Sequence, residues 1–189
     1  MFTRRRLLIA GGALMLPGAA WLGGRGLGGG ALVPPAQAAE GNFPYSLSDD
    51  EWRERLTPAQ YAVLRDHATE RAFTNTLMGE RSPLLDEDRP GTYSCAGCGH
   101  ALYRSETKYD SRTGWPSFWE EIEDAVGYME DRSFFMVRTE VHCANCGGHQ
   151  GHVFEDGPEP TGLRHCINGL AMTFTPDETG EVEGFPIPA

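Results

Sequence analysis

A mainly β protein of small antiparallel sheets, led by short amino-terminal helices and stapled by a metal ion, is what this 189-residue sequence predicts. Three observations carry that reading. From Thr92 onward the chain runs in short apolar or alternating segments between turns, with no recurrent helical period. Ahead of them, two capping-box sequences mark two helix starts. Within the β region, four of the five cysteines fall in two C-x-x-C pairs, Cys95/Cys98 and Cys143/Cys146, which is the ligand number of a tetrahedral structural zinc site.

The first 39 residues are a targeting segment and stand outside the fold. Thr3-Arg4-Arg5-Arg6 is a basic start passing into an apolar run, Leu7 to Leu22, that glycines and Pro17 interrupt. Such a run is short and weakly apolar for a membrane span. Ala36-Gln37-Ala38 offers a small-x-small cleavage site, so the mature chain begins near Ala39 or Glu40. The arginine pair resembles a twin-arginine signal. That implies passage through the twin-arginine export machinery and a periplasmic or other extracytoplasmic location; the alternative is an uncleaved membrane anchor. Residues 40–46 read as a linker, 47–178 as the domain and 179–189 as a tail. The chain carries a net charge of −11; four arginines and no acid lie in the targeting segment, so the remainder stands at −15. An acidic body is a poor match to a nucleic-acid backbone and excludes that partner class.

Ser48-Asp49-Asp50-Glu51 starts a short helix through Trp52 to Leu56. Thr57-Pro58-Ala59-Gln60 starts a second, with proline at the first helical position. Tyr61, Leu64 and Ala68 then recur at helical spacing and predict an end near Arg71. The charged, Pro-containing stretch Glu80 to Gly91 reads as a loop. Predicted strands are Ala101–Tyr103, Phe134–Arg138, Thr139–His142, His152–Phe154 and Ala171–Thr175. Each C-x-x-C pair sits in a glycine-containing knuckle, suited to two sulfurs converging on one ion. Disulfides within each pair, permitted outside the cytoplasm, are the alternative, but such rings are tiny and constrain little. The 44 residues between the pairs mean that a shared ion ties together two distant hairpins.

Cys166 is the cysteine left over. In Arg164-His165-Cys166-Ile167-Asn168 an extended backbone puts Arg164, Cys166 and Asn168 on one face. Arg164 and His165 favour a thiolate if they lie close; a lone cysteine is otherwise a small buried hydrophobe. Trp115, bracketed by Gly114 and Pro116, is either core or the wall of a pocket. His149 and His152 follow the second knuckle. With four cysteines filling a metal site they are spare, free to act as general acids near neutral pH or to sit as surface or core histidines. Asp156 can orient an imidazole or Arg164.

Cys95-x-x-Cys98, Gly114-Trp115-Pro116-Ser117-Phe118, Cys143-x-x-Cys146, Gly151-His152-Val153-Phe154 with Asp156-Gly157-Pro158, and Arg164-His165-Cys166-Ile167-Asn168 occur in this order. The set resembles the B-type methionine-R-sulfoxide reductases, over roughly Leu47 to Pro176. The resemblance implies two antiparallel sheets with helices at the amino-terminal side, and reduction of the R epimer of methionine sulfoxide, free or in proteins. It implies Cys166 as nucleophile, Trp115 against the substrate S-methyl group, and His149 and His152 at the sulfoxide oxygen. Asn168 and Arg164 order the site, and Cys95, Cys98, Cys143 and Cys146 hold one structural zinc per chain. A thioredoxin-like thiol completes turnover, and the chain is a monomer. There are departures. Thr113 stands where many relatives carry a second redox cysteine, His165 where tyrosine or phenylalanine is usual, Gln150 where leucine is common, and Gly169 where serine is usual. Two other classes compete: a non-catalytic zinc module, which has no use for Cys166, Trp115 and two histidines, and a thiol–disulfide oxidoreductase working through a C-x-x-C pair, which bound zinc excludes.

Overall fold

Both capping boxes close in the computed structural model, which describes residues 42–132, 136–183 and 187–188. Ser48 and Thr57 each accept from the backbone three residues on, while Glu51 and Gln60 reach back to the cap N–H. They start α1 (Asp49–Arg55) and α2 (Pro58–Leu64). Trp52 of α1 and the Ala59, Tyr61, Val63 and Leu64 face of α2 are buried. The second helix stops at Leu64 rather than near Arg71. The Ala68 N–H reaches back to the Ala62 carbonyl, and His67 takes the left-handed region at φ 57°, a conformation histidine tolerates better than most side chains. The chain is thereby turned so that Thr69 and Glu70 run beneath the cleft described below.

Among the described residues twelve short strands follow: β1 (Thr76–Leu77), β2 (Glu80–Arg81), β3 (Gly91–Cys95), β4 (Ala101–Arg104), β5 (Lys108–Tyr109), β6 (Ser117–Phe118), β7 (Val126–Asp131), β8 (Arg138–Cys143), β9 (His149–Phe154), β10 (Arg164–Ile167), β11 (Met172–Pro176) and β12 (Ile187–Pro188). All pairings are antiparallel. A six-stranded sheet runs β5-β6-β10-β9-β8-β7 and a three-stranded one β11-β3-β4; β1, β2 and β12 form a small ribbon. The two main sheets meet through aromatic rings. Tyr103 of β4 stacks on Phe118 of β6 with centroids 4.3 Å apart, and Tyr93 of β3 packs on Phe118 and Phe174 at 5.0 and 4.8 Å. Leu102, Ile167, Leu170 and Met172 complete a fully buried core. Aromatic side chains supply the area such short strands cannot otherwise bury.

Several strand predictions shift. The segment from Phe134 lies partly outside the described residues, and Met136 and Val137 are exposed and unpaired in the sheet, so pairing begins at Arg138. The strand expected from Ala171 starts at Met172, because Gly169–Ala171 forms a 3-10 turn. Strand β7 was not legible: Gly127, Glu130 and Asp131 weaken its apolar pattern, yet it pairs with β8 along its whole length. The stretch read as the loop Glu80 to Gly91 opens with β2. Ahead of α1, Phe43 lies edge-on to His142 with centroids 5.6 Å apart, and the Tyr45 N–H donates to the Asn145 carbonyl, so residues 42–46 dock on the body. The targeting segment lies outside the described residues. Among those described, no helix is long and apolar enough to cross a membrane.

Candidate active site

The alternation expected around Cys166 is present. In β10, Arg164 and Cys166 are partly open while His165 and Ile167 are buried. Strand β10 lies between β6 and β9, with Cys166 opposite Ser117 on one side and His152 on the other. Residues opposite one another in an antiparallel pair put their side chains on the same face, about 5 Å apart, so strand register alone brings His152 to Cys166. Gly151 permits the closeness: a Cβ there would lie 2.0 Å from the Cys166 carbonyl oxygen.

Cys166 opens into a cleft of about 110 Å³ lined with Trp115, His152, Asn168, Thr69, Arg138, Gly151 and Phe154. Trp115 is only half-buried, and its indole N–H donates to the Glu70 carbonyl at 3.1 Å. Its ring is therefore a pocket wall and not core. His152 Nε2 lies 2.8 Å from Asp131 Oδ2, which also accepts from Arg138 at 2.5 Å. Burial lowers the His152 imidazole, and Asp131 only partly offsets this. Asn168 accepts from the Glu70 N–H at 3.1 Å and donates to the Gln150 carbonyl at 3.0 Å, so its amide is spent on holding backbone.

His149 and Arg164 do not line the cleft. His149 is buried behind His152, ring centroids 5.5 Å apart, with Nδ1 2.7 Å from Glu140 Oε1. Arg164 makes a bidentate pair with Asp156 at 2.8 and 2.9 Å and lies over the Phe154 ring, which it orients at the cleft wall. His165 points to the opposite face, 3.2 Å from the Tyr103 hydroxyl, and burial pushes it down to about 4. It is thus a neutral core side chain that cannot support a thiolate. Burial raises the Cys166 thiol; the Thr113 hydroxyl, 3.9 Å from its sulfur, and Arg164 pull the other way without prevailing. Cys166 rests as a thiol.

The four remaining cysteines form one cluster. Cys95 and Cys146 sulfurs are 3.6 Å apart, Cys98 and Cys143 sulfurs 3.7 Å, and all four lie within 4.8 Å of one another. No disulfide is present among the described residues. Four thiolates at about 2.3 Å from a zinc ion stand about 3.8 Å apart along the edges of the tetrahedron, so the cage fits that ion. The knuckles repeat each other. In each, the first cysteine's carbonyl accepts from the glycine four residues on, Gly99 or Gly147, at 2.8 Å. Both glycines have positive φ, 76° and 69°. Gln150 donates to Cys95 Sγ at 3.5 Å, an amide–sulfur contact that leucine could not make.

A model of the SelR domain matches residues 56–176. A peptide methionine sulfoxide reductase MsrB of Agrobacterium fabrum is 52% identical over 68% of this chain and 91% of its own. The MsrB proteins of Leifsonia xyli subsp. xyli and Bradyrhizobium diazoefficiens are 50% and 52% identical, over 75% and 76% of this chain and 98% and 99% of theirs. This chain belongs to the MsrB family.

Within this MsrB chain the carboxylates are what sequence reading missed. Glu70 is buried and accepts from Gly169 N–H at 2.7 Å, Leu170 N–H at 2.8 Å and the Asn75 amide at 2.6 Å. Its own N–H and carbonyl hold Asn168 and Trp115. One residue thus joins the loop after Cys166 to the tryptophan wall. Asp131 and Glu140, which orient the two histidines, lie in β7 and β8. Only the register of Glu140 opposite His152 could have pointed to them, and that needs the sheet order.

Proposed function

We propose that this chain reduces methionine sulfoxide, as the peptide methionine sulfoxide reductases it resembles are named to do, and that it acts on the R epimer. The observation that carries the proposal is Cys166 in one cleft with Trp115 and His152. The substrate S-methyl group lies against the indole face, favoured by area and by the ring quadrupole. The sulfoxide oxygen lies toward His152, which Asp131 holds, with His149 behind it. Hydrogen bonding or protonation of that oxygen makes the sulfur electrophilic. The Cys166 sulfur attacks, the oxygen passes to it, and methionine leaves. Cys166 loses its thiol and becomes a sulfenic acid. Two external thiol equivalents, from a thioredoxin-like donor, return it to the thiol and leave as a disulfide and water. Asn168 and Arg164 hold backbone and cleft wall around these steps. Zinc in the four-cysteine cage contributes folding energy and no chemistry. Export by the twin-arginine-like segment 1–39, release of a monomer whose domain spans 47–178, and repair of oxidised methionine outside the cytoplasm complete the reading.

Turnover of separated R and S epimers of a protected methionine sulfoxide with dithiothreitol tests it. Reduction of R alone is expected; equal rates on both epimers would sink it.

Trp115→Ala lowers kcat/KM about 10- to 100-fold, the loss of roughly 1.4–2.7 kcal/mol of substrate contact. It destabilises the fold by less than the roughly 3–5 kcal/mol typical of emptying a core tryptophan site. A large loss of stability with the specific activity of the folded fraction unaltered makes the side chain core after all.

With one equivalent of R sulfoxide and no thiol, intact mass rises by one oxygen on the peptide carrying Cys166. No loss of two hydrogens occurs, because no second thiol faces Cys166 within the cleft. The Thr113 hydroxyl is 3.9 Å from its sulfur. Thr113→Cys therefore converts the product to an internal disulfide. A disulfide between Cys166 and a knuckle cysteine in the wild type, with metal released, overturns the one-cysteine scheme.

A further inference from the structure

Among the described residues, two groups of side chains converge closely enough to hold an ion: the four cysteines, and His67 with Glu140 and His149. We propose that the second group is a divalent-metal site, of the zinc class, whose occupant controls His149.

The donor set is two imidazoles and one carboxylate, which suits Zn²⁺ with an open fourth position. His67 Nδ1 and His149 Nδ1 lie 3.3 and 2.7 Å from the same oxygen of Glu140. Ligand atoms around a tetrahedral ion with bonds of about 2.05 Å stand about 3.3 Å apart. His67 is already at that spacing, and His149 needs only a small withdrawal. The two rings stack with centroids 4.9 Å apart and 26° between planes, and both Nδ1 atoms approach the same Glu140 oxygen. The hydrogen bond that His149 Nδ1 donates to Glu140 accounts for His149 but not for His67. That imidazole is 55% exposed, on the turn that ends α2. It leaves the fourth position open to solvent, while Glu140 and His149 are buried beneath it. Burial raises the Glu140 carboxyl, yet the surrounding imidazoles outweigh it and leave it below its ordinary value, so the ligand is anionic. On binding, the ion replaces the proton on His149 Nδ1, which moves to Nε2.

The effect on catalysis rests on the reductase reading. His149 stands directly behind His152. An ion on its Nδ1 fixes it as a neutral ligand and removes it from the proton supply to the cleft.

The test titrates ZnCl₂ into protein already holding one zinc, by calorimetry, with metal content measured after desalting and imidazole NMR signals followed. A second equivalent is expected, perturbing His67 and His149, and weakened at least about tenfold by His67→Ala. His67 is exposed, so the variant folds, and its retained first zinc verifies this. No second equivalent, or unaltered affinity in His67→Ala, overturns the site. Single-turnover reduction without added thiol, which would compete for zinc, gives the second readout. Loss of rate in step with second-site occupancy in the wild type, absent in His67→Ala, supports control of His149. Binding with no loss of rate overturns that control while the site stands. Absence of turnover before zinc is added marks failure of the reductase reading instead.

Discussion

Cys166→Ser abolishes sulfoxide reduction, with a fall of about three orders of magnitude or more, as for other removed nucleophiles. Serine matches the thiol in size and the site is a half-buried strand position between two paired strands, so β10 keeps its register and the fold is retained. The hydroxyl is a far weaker nucleophile at neutral pH than the thiol. A hydroxyl also cannot store the transferred oxygen as a sulfenic acid. The other four cysteines are gathered in one cluster that could hold a metal ion, and none of them lines the cleft. The assay is single-turnover reduction of the R epimer, with metal content and circular dichroism as controls for folding. Comparable methionine yield from wild type and variant removes Cys166 from the chemistry.

What was readable in advance and what was not divide along a physical line. Local signals read true. Each capping box depends on four consecutive residues, and both are made. The knuckles depend on five, and their four sulfurs meet. The alternation of Arg164 and Cys166 against His165 and Ile167 depends on the period of a strand, and the burial follows it as far as the strand runs, while Asn168 beyond it is buried. Non-local features were hidden. The end of α2 is set by the need to carry Glu70 under the loop after Cys166, some hundred residues away in sequence. His149 and His152 look equivalent in His149-Gln150-Gly151-His152. They part because a strand with a register shift beside it puts one into the cleft and the other against Glu140. The pairing of Asp156 with Arg164, by contrast, was one of two roles read for that carboxylate in advance, and it is made. Gln150, an oddity as a residue type, has its reason only once Cys95 lies beside it.

Cys95→Ser or Cys146→Ser loses the metal and lowers the melting temperature by on the order of 10–20 °C. That figure is several kcal/mol read at roughly 2–4 °C per kcal/mol for a chain of this size. The cage draws Cys95 and Cys98 from the end and hairpin of β3, in the three-stranded sheet, and Cys143 and Cys146 from the end of β8, in the six-stranded one. An ion between them therefore ties the two sheets at a point beyond their aromatic contact. Removing one ligand leaves three thiols facing each other without the charge that held them. Structural zinc contributes about 10–16 kcal/mol of apparent binding free energy in finger peptides that have little else. Here Tyr93, Tyr103, Phe118 and Phe174 keep a core when the ion is gone, so the loss is smaller than the peptide figure and the variant still folds at low temperature. Gln150 carries the disturbance inward. Its amide is on Cys95 Sγ, and its carbonyl holds both the Asn168 amide and the Asn168 N–H, next but one to Cys166. Reduction by the folded variant accordingly falls by less than in Cys166→Ser but does not stay at the wild-type rate. Metal analysis, thermal unfolding and turnover below the transition are measured on the same preparation. A metal-free variant with an unchanged melting temperature shows that the four cysteines do not tie the sheets.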